Sequence, residues 1–394
     1  MSQLPPQGLS TRNTAASEEW RALLEFAAPR PHPDRLAGLL QHSFNWPDFL
    51  QLAEEHGLIP LVAEHLTSID RASIPPASRL RLQDLQRSLT MFSLQLTAEL
   101  FGVLEHFANS GIEVLLTKGP ALAVRCYGAP AMRQYGDLDL IVRENHIRGS
   151  TQAMLDLGFE PRIPLSAIDR KKSAGEYAFR KPGSNTLVEL HTERTFRYHP
   201  RPLPIQKLFD RRAFVTIDGR AVPALSLEDE LILICVHGAK HFWERLMWIA
   251  DVAALISANP ALDWTRALAA AREVGAERIL FLGLRLATDV LGARLPAPIE
   301  SAVHSDRTAA NLTTLVTKHL GPTAALEVGL VQRALFRIKM RGGFFAGAAY
   351  LLRLSLSPTE EDWTPGSAAS RPALLDAIRR PLRLARKHRR GAGS

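Results

Sequence analysis

Asp137 and Asp139 stand two residues apart in the run Gly136-Asp137-Leu138-Asp139-Leu140-Ile141-Val142. Polar and apolar residues alternate over 137–140, which is the period of a strand. Successive strand side chains point to opposite faces, so the two aspartates share one face and Leu138 and Leu140 the other. Hard cations such as Mg²⁺ take oxygen ligands, and one or two carboxylates plus substrate phosphates make a usual site. A bare pair of this kind is more often a solvated strand edge, so its meaning rests on its neighbours.

Two neighbouring segments supply that context. Ile112 to Thr117 is an apolar run of strand length, followed by Lys118-Gly119-Pro120 and a helical segment, Ala121 to Tyr127. Gly119 lets backbone approach a ligand closely, and Pro120 suits a first helical turn. A helix N-terminus behind a glycine turn attracts phosphate through free N–H groups and the helix dipole. Further on, Glu176 to Arg180 and Thr186 to His191 flank Pro182-Gly183-Ser184-Asn185. Two alternating runs around such a turn predict a β-hairpin, with Glu189 and His191 on one face of its second strand. A third carboxylate therefore arrives on a strand.

Asp137, Asp139 and Glu189 beside a phosphate-type turn suit nucleotidyl transfer. That reaction uses metal ions to stabilise the attacking and leaving oxygens of an in-line displacement. Glu189 can also serve as general base for an acceptor hydroxyl. Lys118 and Arg133 lie at the ends of their segments, where they can neutralise phosphate charge. The expected nucleotide-binding set is Lys118, Gly119, Arg133 and Gly136. The expected metal-binding and catalytic set is Asp137, Asp139 and Glu189.

The ordered motifs LLTKGPALA, MRQYGDLDLIV, LVELH and CVHGAKHFWERLMWIADVAALI, with the earlier NWPDFLQLAEEHGLIPLVAEHL, span roughly residues 40 to 260. Together they resemble the uncharacterised bacterial nucleotidyltransferases of the DNA polymerase β-like superfamily. The resemblance implies an α+β fold, with a small mixed β-sheet nucleotidyltransferase core flanked by N-terminal and C-terminal helical regions. It implies metal-binding roles for Asp137 and Asp139, with Glu189 as third carboxylate, Mg²⁺ (or Mn²⁺) as cofactor and an NTP as donor. The superfamily's glycine turn, usually Gly followed by Gly or Ser, corresponds here to Gly119-Pro120, which removes one backbone donor. Its third carboxylate is more commonly Asp than Glu.

The rest of the chain organises around this core. Residues 1–18 read as a disordered leader, 19–110 as a helical N-terminal region and 111–225 as the catalytic core. Residues 226–370 read as a helical C-terminal domain and 371–394 as a basic tail. Asn45 is an expected N-cap with Pro47 in the first turn, and one long helix is expected from about 77 to 109. From Leu227 through Ile256 the pattern reads as helix. His237, Lys240, His241, Arg245, Trp248 and Asp251 recur there at spacings of three and four, near one face. His237 and His241 have zinc-ligand spacing, but no Glu follows the first His as a metalloprotease base would require. A polar face packed toward the catalytic core, or a surface face, is the preferred reading.

The net charge of +8 is unevenly placed. Residues 371–394 carry eight Lys/Arg against one acid, Asp376, which leaves the body with only +1. Such a tail suits a solubilising terminus first, and RNA, anionic lipid or an acidic partner second. Cys126 and Cys235 sit among apolar residues and make no disulfide framework or CxxC motif. No apolar run reaches membrane-span length, and the N-terminus lacks a secretory signal's apolar core, so a cytoplasmic protein is expected.

The expected function is Mg²⁺-dependent transfer of a nucleoside monophosphate from an NTP to a hydroxyl or phosphate of a small molecule or protein. Two alternatives stand beside it. One is a non-catalytic nucleotide-binding or interaction protein on the same fold. The other is an RNA-modifying transferase guided by the basic tail, disfavoured by the near-neutral body.

Overall fold

Ser17 opens the first helix by accepting a hydrogen bond from the Trp20 backbone N–H at 3.2 Å. The structure, a computed structural model, describes residues 17–40, 44–68, 74–169, 175–184, 186–192, 201, 203–321, 329–342, 346–350 and 352. The expected leader, apart from Ser17 and Glu18, and the basic tail lie outside the described residues.

Five helices lead into the sheet: α1 (Glu18–Ala27), α2 (Pro33–Leu39), α3 (Trp46–Glu55), α4 (Ile59–His65) and α5 (Pro76–Asn109). Asn45 caps α3 through the Asp48 N–H, with Pro47 in the first turn, as its sequence predicts. Helix α5 is the expected long helix. The core follows as β1 (Val114–Thr117), α6 (Gly119–Tyr127), β2 (Leu138–Val142), α7 (Ile147–Asp156), β3 (Glu160–Pro161), α8 (Leu165–Asp169), β4 (Glu176–Arg180) and β5 (Leu187–His191). Next come α9 (Ile205–Asp210), β6 (Ala213–Ile217) and β7 (Arg220–Ala224). The remaining described helices are α10 (Leu227–Lys240), α11 (Leu246–Ala258), α12 (Trp264–Glu273), α13 (Glu277–Leu291), α14 (Ala297–Ser305), α15 (Arg307–His319) and α16 (Leu330–Lys339). This is the expected α+β architecture, a mixed sheet with helical flanks.

The sheet runs β3-β4-β5-β2-β1-β7-β6. Strands β1 and β2 pair antiparallel, β2 and β5 parallel, and β4 and β5 form the expected hairpin. Every residue of β1 and β2 is buried. Val114, Leu116, Leu138, Leu140, Val142, Val188 and Leu190 face a hydrophobic cluster that includes Leu96, Leu100 and Phe107 of α5 and Met154 of α7. Leu115 and Ile141, on the other face, join a second cluster. That cluster unites Phe26 and Phe49 of the N-terminal helices with Ile249, Val252 and Leu280 of the C-terminal ones. Two separated stretches of chain thus share one core above the strand face that carries the polar residues.

Four differences from the sequence reading matter. Strand β2 begins at Leu138, so Asp137 lies in the bend before the strand rather than on it. The β6–β7 hairpin was not anticipated, although Asp218-Gly219 between two β-branched runs is a hairpin signal. The helix expected across 227–256 is two helices. Phe242 and Trp243 both take φ of 57° between α10 and α11, a left-handed conformation that ends the first helix. The helical pattern that the sequence carries from about 263 to 291 is likewise divided, at Gly275 with φ of 69°. Both cysteines are buried and free, and no helix among the described residues is long and apolar enough to cross a membrane.

Candidate active site

Three strands bring the polar face together. Thr117 of β1 is in register with Asp139 of β2, and Asp139 with Glu189 of β5. The odd-numbered positions of β2 and β5 look away from the α5 cluster, so Asp139, Glu189 and His191 project to the same side. The parallel β2–β5 pairing sets this register, and a one-residue slip would turn Glu189 into the apolar cluster.

Asp139 is almost fully buried and both its oxygens are engaged. Lys118 Nζ lies 2.8 Å from Oδ2, and His191 Nε2 lies 2.7 Å from Oδ1. His191 Nε2 also approaches Glu189 Oε2 at 3.6 Å. One ligand atom each of Asp139, Glu189 and His191 lie within 4.8 Å of one another.

The electrostatics follow from this crowding. Burial alone would raise Asp139, but the Lys118 ammonium and the His191 hydrogen bond hold its carboxyl far below the usual carboxylate range. Glu189 has less compensation. Burial pushes it up to about 7, against His191 and with Asp139, Glu176 and Asp137 adding repulsion. Burial and Asp139 raise Asp137 as well. Burial would lower Lys118, yet Asp139, with Asp137 and Glu189 behind it, raises its ammonium above an ordinary lysine. The cluster therefore has more negative charge than its own cations satisfy.

The β1–α6 turn that delivers Lys118 is strained. Lys118 has φ of 52° and ψ of −143°, and Gly119 follows at φ of 43°. A non-glycine residue is held in such a region only where surrounding contacts over-determine it. Here Glu230 of α10, fully buried, accepts the Lys118 backbone N–H at 2.8 Å. Arg125 Nη1 stands 3.7 Å from the same carboxylate. Pro120 occupies the first turn of α6, as expected.

Lys118, Gly119, Arg133, Gly136, Asp137, Asp139 and Glu189 all line one cavity of about 720 Å³. Arg133 differs from the others in where its charge goes. Its Nε and Nη2 bind Asp251 of α11 at 2.9–3.0 Å, and Tyr127 Oη meets the same carboxylate at 3.1 Å. The guanidinium is thereby committed to tying the Asp137 loop to α11. Burial opposes its charge, but Asp251 outweighs that and drives Arg133 above the usual arginine range.

The family model for an uncharacterised nucleotidyltransferase matches residues 42–292. The chain belongs to that family. The match takes in α3 through α13, and so every residue of the cavity wall described above. Two solved structures similar to this nucleotidyltransferase are a lincosamide antibiotic adenylyltransferase, LnuA, with lincomycin bound, and an antigenic nucleotidyltransferase-like protein from Paracoccidioides brasiliensis. The first is 15% identical over 41% of this chain and 96% of its own, with a TM-score of 0.29. The second is 17% identical over 60% of this chain and 95% of its own, with a TM-score of 0.30. No curated protein matches the chain.

Two residues of this nucleotidyltransferase's site, His191 and Glu230, had no role assigned from sequence. His191 shares a strand face with Glu189, and that two-residue spacing was the available signal. Glu230 reads locally as an acidic residue in a helix's first turn, where the dipole favours it. Nothing near it in sequence announces its tie to Lys118.

Proposed function

We propose that the protein transfers a nucleoside monophosphate from an NTP to a hydroxyl or phosphate of a small molecule or protein side chain. Asp137, Asp139 and Glu189 would hold the divalent cation, Mg²⁺ or Mn²⁺, with His191 orienting Asp139. The observation that carries this is the Lys118 ammonium on Asp139 within an under-neutralised cluster of hard oxygen donors. A cation already stands where the donor set calls for one. Bound divalent cations, singly or as a pair, supply charge neutralisation at the phosphate oxygens.

The protein's own groups have defined tasks. The Gly119 turn brings the α6 N-terminus to the phosphates, and Lys118 is placed to follow the negative charge between Asp139 and the triphosphate. Glu189 takes the proton of the acceptor hydroxyl. The acceptor oxygen forms the new bond to the α-phosphorus while the bond to the bridging oxygen breaks, and pyrophosphate leaves. Arg133, held by Asp251, fixes the loop before Asp137. We place the activity in the cytoplasm, where NTPs are abundant and buried free thiols persist.

The test is pyrophosphate release with each NTP, joined to a mass-spectrometric search for nucleotide-modified metabolites and proteins. Transfer should vanish in Asp137→Ala combined with Asp139→Ala. Transfer that persists in this double variant would sink the proposal. The second reading, a nucleotide binder without turnover, draws on Pro120, which removes a backbone donor from the turn. It expects NTP to raise the melting temperature with no product formed.

A further inference from the structure

Part of the cavity wall is built from the end of α10 and the start of α11. His237 and His241 have ring centroids 4.8 Å apart. Trp248 meets His237 edge-on at 5.4 Å and His241 at 5.1 Å with the planes 32° apart. All three rings line the cavity that holds Asp139 and Glu189.

The turn between the helices imposes this grouping. Trp243 is fully buried with φ of 57°. It fits only because residue 238 is glycine, where a Cβ would stand 2.5 Å from its ring. Gly283 of α13 is similar, with an added Cβ 3.1 Å from the ring and 2.5 Å from Cys235 Sγ. This anchored turn folds α11 back so that Trp248 reaches rings one helix earlier in the chain.

Among the described residues the contacts of the His237 and His241 rings are ring contacts, with each other and with Trp248. Burial favours the neutral form of both rings. Burial, with Lys118 and the neighbouring His241, takes His237 well below the ordinary histidine value. Burial, with Lys240 and Lys118, lowers His241 to about 3. Each ring thus offers one N–H donor and one bare nitrogen acceptor. Two acids that line the cavity near these rings are paired, Glu176 of β4 with Lys240 at 3.9 Å and Glu244 with Arg333.

We infer that the His237–His241–Trp248 wall is the nucleobase subsite, stacking the donor's base and bonding its edge. The inference rests on the nucleotidyl-transfer proposal and deepens it. Uncharged rings with donors and acceptors suit a neutral heteroaromatic ring. A polycationic acceptor would instead seek unpaired carboxylates, and Glu176 and Glu244 are paired. Both imidazoles and Trp248 line the same cavity as Lys118 and Gly119, so one nucleotide can reach the wall and the phosphate end together. Stacking on such rings tolerates any base, and the imidazole edges then set the preference.

The experiment is calorimetric titration of the full chain with Mg²⁺ and ATP, GTP, CTP or UTP, beside Mg²⁺ and inorganic tripolyphosphate, which has no base. His237→Ala with His241→Ala, and separately Trp248→Leu, should weaken the best NTP by about tenfold or more and tripolyphosphate by less than about twofold. His241→Phe and Trp248→Phe keep a ring and should retain most of the NTP affinity, which separates stacking from misfolding. NTP, unlike tripolyphosphate, should also quench the Trp248 fluorescence that is lost in Trp248→Phe. Unchanged NTP affinity in the ring variants, or equal weakening of both ligands, overturns the subsite. Asp139→Asn weakens both ligands if the cation site stands, so failure of the subsite alone leaves that signature intact. No NTP binding to the wild type overturns the donor proposal together with the subsite.

Discussion

Lys118 Nζ lies 2.8 Å from Asp139 Oδ2, deep in a cluster that also contains Asp137 and Glu189. Lys118 makes this contact from a strained backbone, which Glu230 holds from a helix more than a hundred residues away. A lysine seated on the central carboxylate would compete with the proposed metal ion for the same oxygen.

Removing that competitor should therefore expose the cation site. Lys118→Met should bind Mn²⁺ in the absence of nucleotide roughly tenfold more tightly than wild type, the scale on which groups around a metal's ligands act. The same variant should lose transfer activity, because the triphosphate loses a neutralising ammonium. Electron paramagnetic resonance of free Mn²⁺ reads the first effect. Unchanged or weaker affinity would mean that Lys118 is not holding the cation's place.

The Arg133–Asp251 pair has a different signature. Both side chains are buried and doubly bonded, so removing one partner leaves the other charge unpaired. Asp251→Ala should cost about 3–5 kcal/mol in urea unfolding, whereas Arg133→Met with Asp251→Leu should recover most of it. Near-additive single and double variants would show that the pair is not coupled. A role confined to direct phosphate binding would instead appear as a raised KM for NTP with stability unchanged.

His56 supplies a pH dependence remote from the carboxylates. Its Nδ1 accepts the Leu246 N–H at 3.0 Å at the start of α11. Burial, with Arg245 nearby, lowers its pKa from 6.5 to about 4. The fold binds the neutral ring, so the contribution is fully present above pH 6.5 and is lost as pH falls toward 4. Between pH 7 and pH 5 the wild type should lose about 2 kcal/mol more stability than His56→Asn, which keeps an acceptor but does not titrate. Parallel losses in the two proteins would remove His56 from the account.

Much of the fold was legible because its signals are local. The 76–109 helix, the Asn45 cap, the hairpin around 182–185 and the strand–turn–helix at 114–127 all follow from periodicity and turn chemistry. The long helix expected from Leu227 was misread for a reason that lies outside it. Its apolar pattern runs on across the break, while Trp243, packed against Gly238 and Gly283, takes the left-handed turn. Arg133 looked available for phosphate because its partner, Asp251, is 118 residues away.

By itself the sequence determined which residues could do chemistry and which face of a strand they share, since backbone dihedrals and side-chain alternation are properties of neighbouring residues. It also determined the family. Only the tertiary structure decided that β5 lies parallel to β2 with Glu189 beside Asp139, that Lys118 rather than Arg133 faces the carboxylates, and that His237, His241 and Trp248 line the same cavity. Those outcomes turn on burial and charge pairing between distant segments, where a partner within hydrogen-bond reach outweighs desolvation and its absence does not.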